Sequence, residues 1–279
     1  MDLEEYRRTN RQAWDSVAPA WERWRAFAET CYGPVREWML RELAPQPGDT
    51  VLELSAGGGE TGLQAAAAVG DTGRLISTDF APEMVEASRR RGAELGVKNA
   101  EYRVMDAEHL ELADASVDGV LCRFGYMLMA DTAAALGETR RVLRAGGRLA
   151  FAVWAPAERN PWATIRSQTL IERGYMEPPE PGAPGPFTMG SEARTRGLLE
   201  QAGFRQVRFE EVPVSLPFRD VEAYVAWGIE VSPGFASALA PVPEDERASL
   251  QTEMGARLAA FATPEGYELP GVVLCAVAE

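Results

Sequence analysis

Cysteine, lysine and histidine are scarce in this chain of 279 residues. The three cysteines, Cys31, Cys122 and Cys275, lie far apart and form no CxxC pair. Their odd number and spacing exclude a disulfide framework and a cysteine-rich zinc site, and they suit a reducing cytoplasm. Lys98 is the single lysine and His109 the single histidine. We accordingly predict no metal site.

Positive charge and long apolar runs are lacking as well. The formal net charge is −14, so most of the surface would repel a phosphate backbone, which argues against a nucleic-acid partner. No run approaches the roughly 20 apolar residues needed to span a bilayer. The opening MDLEEYRRTNRQAW is too polar for a signal peptide. We expect a soluble, cytoplasmic protein, and its oligomeric state stays open, a homodimer included.

Short apolar segments alternate with helical segments from residue 49 onward, which predicts βαβ units and a parallel, doubly wound sheet. Residues 3–44 are predicted to be helical, with breaks at Pro19 and Gly33-Pro34. The predicted strands are 49–55, 74–79, 100–105, 117–122, 148–154, 204–216 and 272–278; the predicted later helices are 60–69, 82–95, 132–144, 161–173, 191–202, 220–229 and 243–262.

This order predicts an α/β fold, a Rossmann-like, mostly parallel sheet with an antiparallel last strand. Residues 1–44 would form an N-terminal helical lid. Residues 45–216 and 271–279 would form the sheet domain, and residues 217–270 a helical insertion that makes a substrate wall. In such sheets ligands bind at the carboxyl ends of the strands.

A glycine-rich turn follows the first predicted strand. Gly57, Gly59 and Gly62 match G-x-G-x-x-G, and Asp79 lies near the offset of a ribose-binding acid. This pattern alone fits a nicotinamide or flavin enzyme. A helix N-terminus in such a turn favours the pyrophosphate of a dinucleotide.

The charges around the turn favour a different ligand. Glu53 precedes the turn and Glu60 opens the helix, a poor arrangement around a pyrophosphate. S-adenosylmethionine has no phosphate and carries an ammonium and a sulfonium, which Glu53 would attract. Asp79 can accept hydrogen bonds from both ribose hydroxyls. The alternative is that Glu53 is a solvated charge and that the glycines only make a tight turn.

Three segments then resemble the motifs of class I S-adenosylmethionine-dependent methyltransferases. They are VLELSAGGGETG (51–62), TDFAPEMVEAS (78–88) and VMDAEHLELADASVD (104–118). The resemblance covers roughly residues 45–155 and implies a cofactor site. Asp106 would bind the adenine amino group and the Ala107 backbone its ring nitrogen. The remaining residues implied at the cofactor are Glu53, Ser55, Gly57, Gly59, Asp79, Phe80, Met84 and Arg123.

Ser55 departs from the family pattern, because it stands where the family usually has its first glycine. A positive φ at this position would cost a serine about 1–2 kcal/mol. In an allowed conformation, its hydroxyl could instead bind the methionine carboxylate. Arg123 could contact the same carboxylate, or it could be a surface ion pair.

The sequence assigns no catalytic residue firmly, because methyl transfer from a sulfonium depends mainly on orientation. His109 is a weak candidate for a general base; a surface or cofactor-edge position is the favoured alternative. Tyr126 is a second weak candidate, in the loop after the fourth strand. Trp154, at the carboxyl end of the fifth strand, is expected to face the cleft.

Aromatic residues are expected to form the walls of the acceptor pocket. WDSVAPAWERW (14–24) resembles the N-terminal helix of the ubiquinone and menaquinone biosynthesis methyltransferases, and it is expected to act as a lid while sharing core packing. The predicted substrate-binding residues are Trp14, Trp24, Tyr126, Trp154 and Trp227. We therefore predict C- or O-methylation of a small aromatic, quinol or polyketide-like acceptor. The alternatives are a non-catalytic S-adenosylmethionine-binding protein and an NAD-dependent oxidoreductase.

Overall fold

The computed structural model describes residues 2–279 and contains helices on both sides of one sheet. The helices are α1 (Leu3–Arg23), α2 (Arg25–Leu43), α3 (Gly62–Val69), α4 (Pro82–Glu94), α5 (Thr132–Val142), α6 (Pro161–Glu172), α7 (Glu192–Gln201), α8 (Val221–Val231), α9 (Pro233–Leu239) and α10 (Glu244–Leu258). The strands are β1 (Thr50–Leu54), β2 (Arg74–Asp79), β3 (Ala100–Val104), β4 (Val117–Arg123), β5 (Leu143–Trp154), β6 (Arg208–Phe218), β7 (Ala262–Thr263) and β8 (Gly266–Ala278). Among these residues, no helix is long and apolar enough to cross a bilayer.

The sheet has the order β3-β2-β1-β4-β5-β8-β6, and β7 pairs with β8. Strands β1 to β5 run parallel to one another, whereas β8 runs antiparallel to both β5 and β6. Every residue of β1 is buried, as expected for a central strand covered on both faces. The predicted α/β fold, with its mostly parallel sheet and antiparallel last strand, is confirmed.

The last strand is longer than predicted, since β8 spans Gly266–Ala278 rather than 272–278, whereas β6 spans Arg208–Phe218 rather than 204–216. β6 and β8 pair over eleven positions, from Arg208 opposite Val277 to Phe218 opposite Tyr267. Pro213 and Pro217 take exposed positions between the buried residues of β6, and both are tolerated because β6 is an edge strand. The helices expected within 217–270 therefore span only 221–258. They include α9, which the sequence did not predict.

Two N-terminal helix breaks are predicted wrongly. Pro19 lies inside α1 and Pro34 inside α2, and the chain turns at Trp24 instead. α2 tolerates its proline because Val35 and Met39 of the same helix are completely buried against the sheet. Tertiary packing, which outweighs local propensity, decides these boundaries. α2 thus belongs to the core, while α1 packs on α4 at the outside.

One buried side chain joins the end of β5 to β8 and α6. The Asn160 Nδ2 donates to the Ala155 carbonyl at 3.0 Å, and its Oδ1 accepts from the Val272 N–H at 3.0 Å and from the Trp162 Nε1 at 3.1 Å. Because Asn160 is inaccessible to solvent, no water can replace these hydrogen bonds.

Asn160→Ala should therefore lower the free energy of unfolding by about 2–4 kcal/mol, because it leaves buried donors and acceptors unpaired. Urea denaturation monitored by circular dichroism measures this change. Gln64→Ala, on the exposed face of α3, is the matched control and should change stability by less than about 0.5 kcal/mol. A loss below about 1 kcal/mol for Asn160→Ala would contradict the proposed joining role.

Candidate cofactor and acceptor site

The turn after β1 contains left-handed backbone at three positions. Ser55 has φ 51°, Gly57 has φ 53° and Gly59 has φ 81°. Ser55 is thus in the conformation that costs a non-glycine residue about 1–2 kcal/mol. Gly125 makes room for it, since a Cβ there would lie 2.5 Å from the Ser55 Oγ and 2.7 Å from the Cys122 Sγ. The sequence pattern identified the strained position, and the structure adds its neighbour.

Glu53 is a buried carboxylate that organises this turn. Its Oε1 accepts from the Gly62 N–H at 2.7 Å and its Oε2 from the Ser77 hydroxyl at 3.2 Å. Its exposure is 3%, which contradicts the alternative of a solvated strand-end charge. Burial raises the pKa of Glu53 to about 7. Its side chain also lines the main cavity, so a cationic ligand there would favour its ionised form.

Two further aspartates lie along the same cavity. The Asp79 Oδ2 accepts from the Gly57 N–H and its Oδ1 from the Ala81 N–H, both at 3.0 Å. Burial raises the pKa of Asp79 to about 6. The Asp106 Oδ1 accepts from the Glu108 N–H at 2.9 Å, which fixes the orientation of that carboxyl. Both side chains are held by backbone donors before any ligand arrives.

Two arginines near the cavity, Arg36 and Arg123, share the Glu29 carboxylate. Arg36 hydrogen-bonds Glu29, and the Arg123 Nη1 lies 3.9 Å from the Glu29 Oε1 without a hydrogen-bond partner among the described residues. Arg123 lines the cavity, whereas Arg36 stands behind it. An unpaired, buried guanidinium nitrogen of this kind suits an incoming carboxylate.

The cavity has a volume of about 510 Å³ and extends from these acidic groups to an aromatic wall. Trp154 stacks on Phe124 with centroids 4.8 Å apart and an interplanar angle of 10°. The Trp162 ring centroid lies 4.5 Å from that of Trp154 and 5.8 Å from that of Trp227. The wall thus joins β5, α6 and α8 into one apolar surface.

Helix α1 forms the roof of the cavity. The Tyr6 hydroxyl donates to the Leu128 carbonyl at 3.0 Å, and the Glu83 N–H donates to the Asp15 Oδ1 at 3.0 Å. Trp14 lines the cavity and packs against Met84. Contacts near the start and the middle of the helix therefore hold it over the cavity.

Comparisons with known proteins agree with this geometry. Residues 51–147 match a family described as a methyltransferase domain. The chain is 37% identical over 192 residues to a demethylmenaquinone methyltransferase from Beutenbergia cavernae, a match that covers 63% of this chain and 74% of the relative. The chain belongs to the S-adenosylmethionine-dependent methyltransferases.

Other similarities are more partial. An aklanonic acid methyltransferase from a Streptomyces species is 29% identical to the chain over 146 residues. The match covers 52% of this chain and 65% of that relative. The Haemonchus contortus phosphoethanolamine N-methyltransferase 2, solved with S-adenosyl-L-methionine, shares the fold at a TM-score of 0.55 and 15% identity, covering 88% of this chain and 52% of that one. The chain spans between 28% and 65% of the length of four curated relatives that it matches.

The residues of this methyltransferase fit S-adenosylmethionine, the cofactor of its family. We propose that Asp79 holds the ribose hydroxyls, that Asp106 and the Ala107 backbone hold the adenine, and that Glu53 holds the ammonium. Arg123, with its unpaired Nη1, would bind the carboxylate. The family assignment excludes the alternative of an NAD-dependent oxidoreductase.

Most of the predicted site residues line one cavity. Those on the cofactor side are Glu53, Ser55, Gly57, Asp79, Phe80, Met84, Asp106, Ala107 and Arg123; those on the aromatic side are Trp14, Trp154 and Trp227. Gly59 does not line it. Gly59 is the buried part of the turn, and a Cβ there would lie 2.3 Å from the Ser88 Oγ of α4. Its role is therefore to let the turn approach α4.

Two predicted acceptor contacts lie outside the cavity, and for His109 the structure agrees with the favoured alternative of a surface position. Tyr126 is completely buried, with its hydroxyl 2.6 Å from the Thr139 Oγ1, and it points away from the cavity. The Trp24 indole is half-buried against Phe27 outside the cavity and donates to the Glu230 Oε2 at 2.9 Å. His109 is exposed and lines a separate surface depression, so it is no general base for this cavity.

The sequence interpretation missed several lining residues. Trp21, Phe124, Trp162 and Arg166 all line the cavity, and none was predicted to be a site residue. Trp21 could have been found from its helical spacing to Trp14, seven residues away on the same face of α1. Trp162 and Arg166 carry no comparable signal, because their position depends on how α6 crosses the sheet.

The raised pKa of Glu53 predicts that binding of S-adenosylmethionine weakens in acid. Below a pKa of about 7 the carboxyl is neutral and no longer attracts the ammonium. We expect the affinity at pH 5.5 to be roughly ten-fold below that at pH 7.5. Titration calorimetry across this range measures it.

Glu53→Gln should flatten most of this pH dependence, since the amide still accepts from Gly62 but does not titrate, and only the part due to Asp79, with its pKa of about 6, should remain. Glu60→Gln, on the same turn, is the matched control and should retain it. An unchanged pH profile in Glu53→Gln would show that another group governs binding.

Proposed function

We propose that this methyltransferase transfers the methyl group of S-adenosylmethionine to a carbon or oxygen of a small aromatic, quinol or polyketide-like acceptor. The observation that carries the proposal is the continuity of the cavity. The same 510 Å³ space is bordered by the cofactor aspartates and by Trp154, Trp162 and Trp227. A flat, apolar molecule would stack on such a wall beside the cofactor.

The relatives support this class of acceptor. One is named for demethylmenaquinone and another for aklanonic acid. The net charge of −14 and the enclosed cavity disfavour a nucleic-acid acceptor. Residues 1–44 would contribute the roof through α1, and the helices of 217–270 would contribute one wall through Trp227.

Orientation is the main catalytic device in this proposal. The cofactor supplies an electrophilic methyl group on its sulfonium. Protein side chains hold both reactants in line and exclude water, because α1 covers the cavity and Phe124 and Trp154 stack beneath it. Neither His109 nor Tyr126 reaches the cavity, so neither moves the acceptor proton.

Incubation with S-adenosylmethionine and a panel of phenols, quinols and acidic polyketide-like enols tests the proposal. Mass spectrometry should detect a methylated product together with S-adenosylhomocysteine. Trp227→Leu should raise the KM for the acceptor about ten-fold while changing the S-adenosylhomocysteine affinity less than about two-fold, because it removes part of the aromatic wall and none of the proposed cofactor contacts.

Trp24→Leu is the matched control, since Trp24 lies outside the cavity, and it should leave the acceptor KM unchanged. A protein that binds S-adenosylhomocysteine but methylates no member of the panel would contradict the proposal. That result would favour a protein that binds the cofactor without transferring its methyl group.

A further inference from the structure

Arg166 places a positive charge inside the apolar half of the cavity. It lies on α6, is 4% exposed and lines the cavity together with Trp162 and Trp227. Aromatic rings surround its guanidinium. The Cζ–centroid distances are 4.9 Å to Trp227, 5.0 Å to Tyr224, 5.1 Å to Phe235 and 5.9 Å to Trp162.

This charge has no counter-ion among the described residues. Within residues 2–279, the Arg166 Nη1 has no hydrogen-bond partner. The ionisable groups that interact with it are Tyr32 and Tyr224, and burial raises the pKa of both, that of Tyr224 to about 12. Both are therefore neutral near pH 7. Cation–π contacts compensate only partly for the lost hydration of a buried charge.

The other arginines of the cavity differ from Arg166 in this respect. Arg7 forms a salt bridge with Glu108. The Arg25 Nη2 lies 3.6 Å from the Glu94 Oε2, and the Arg123 Nη1 lies 3.9 Å from the Glu29 Oε1. Of the arginines that line the cavity, Arg166 alone has no described carboxylate within 4.0 Å. Arg166 is also the cavity arginine that lies among the aromatic rings of Trp162 and Trp227.

The surrounding helix is shaped to hold the guanidinium in place. A Cβ at Gly228 of α8 would lie 1.8 Å from the Arg166 Nη1, so the guanidinium fills the space that the glycine leaves. A flexible arginine would normally extend toward water. Here the helix surface and the rings fix it against the cavity instead.

We propose that the acceptor carries an ionised oxygen acid, a carboxylate or an acidic phenol or enol, and that this group binds Arg166. This inference rests on the proposed function and narrows its acceptor class. The guanidinium would pair with the anion and orient the aromatic body along the tryptophan wall. It would also favour the ionised form of an acidic phenol or enol, which is the nucleophilic form.

Binding to the protein saturated with S-adenosylhomocysteine tests the inference without requiring methyl transfer. The probes are benzoate, 1-hydroxy-2-naphthoate and anthraquinone-2-carboxylate, each compared with its primary amide by calorimetry at pH 7. We expect at least one acid to bind about ten-fold more tightly than its amide. Failure of every acid to bind, or equal binding of acid and amide, would overturn the inference.

Three variants assign the preference to the guanidinium. Arg166→Gln should abolish the preference for the acid, and Arg166→Lys should retain most of it because the charge remains. Arg196→Gln is the matched control, since Arg196 lies 5.0 Å over the Phe209 ring but outside the cavity, and it should leave the preference unchanged.

The affinity for S-adenosylhomocysteine reports whether each variant is folded. If Arg166→Gln does not fold, the test compares the wild type with Arg166→Lys. Loss of the preference for the acid in a folded Arg166→Lys would contradict a role for the positive charge. A preference that survives Arg166→Gln would also overturn the inference. A protein that binds the acids through Arg166 but forms no methylated product would contradict only the proposed function.

Discussion

The buried carboxylate of Glu53 is the interaction on which the site depends. It joins β1, the glycine turn and β2, because its two oxygens accept from the Gly62 N–H and the Ser77 hydroxyl. Without that acceptor the N-terminus of α3 would have an unpaired backbone donor at the centre of the sheet. The same carboxylate faces the cavity, so the group that orders the turn also presents a negative charge to the ligand.

Acidic side chains predominate on the cofactor side of the cavity, where they lie with Arg123, whereas the aromatic side contains Arg166. Glu53, Asp79 and Asp106 lie at the end formed by β1, β2 and the loop after β3, whereas Arg166 lies among aromatic rings at the other end. This arrangement suits a cationic cofactor beside an anionic, flat acceptor. Burial strengthens both preferences, since low local polarity increases the electrostatic interactions of each group.

Much of the cofactor side was predictable because it depends on local sequence. A short turn between a buried strand and a helix fixes Ser55, Gly57 and Asp79 within a single βαβ unit, and parallel strands bring their carboxyl ends to one edge. The acceptor side was less predictable. Trp24 and Tyr126 are aromatic like Trp227, yet neither lines the cavity. Trp24 lies outside it and hydrogen-bonds Glu230, and Tyr126 is buried with its hydroxyl at Thr139. Residue type does not reveal which side of a helix or turn meets the cavity.

The sequence by itself determined the α/β order, the cofactor turn and the acidic groups that disfavour a phosphate ligand, because each follows from periodicity, spacing and charge over a few residues. Tertiary structure alone decided how α1 covers the cavity, how far β6 and β8 extend, and that Arg166 meets Trp162 and Trp227 without a counter-ion. Those features join segments from β5 to α8, and their contacts depend on how helices cross a sheet rather than on any local pattern.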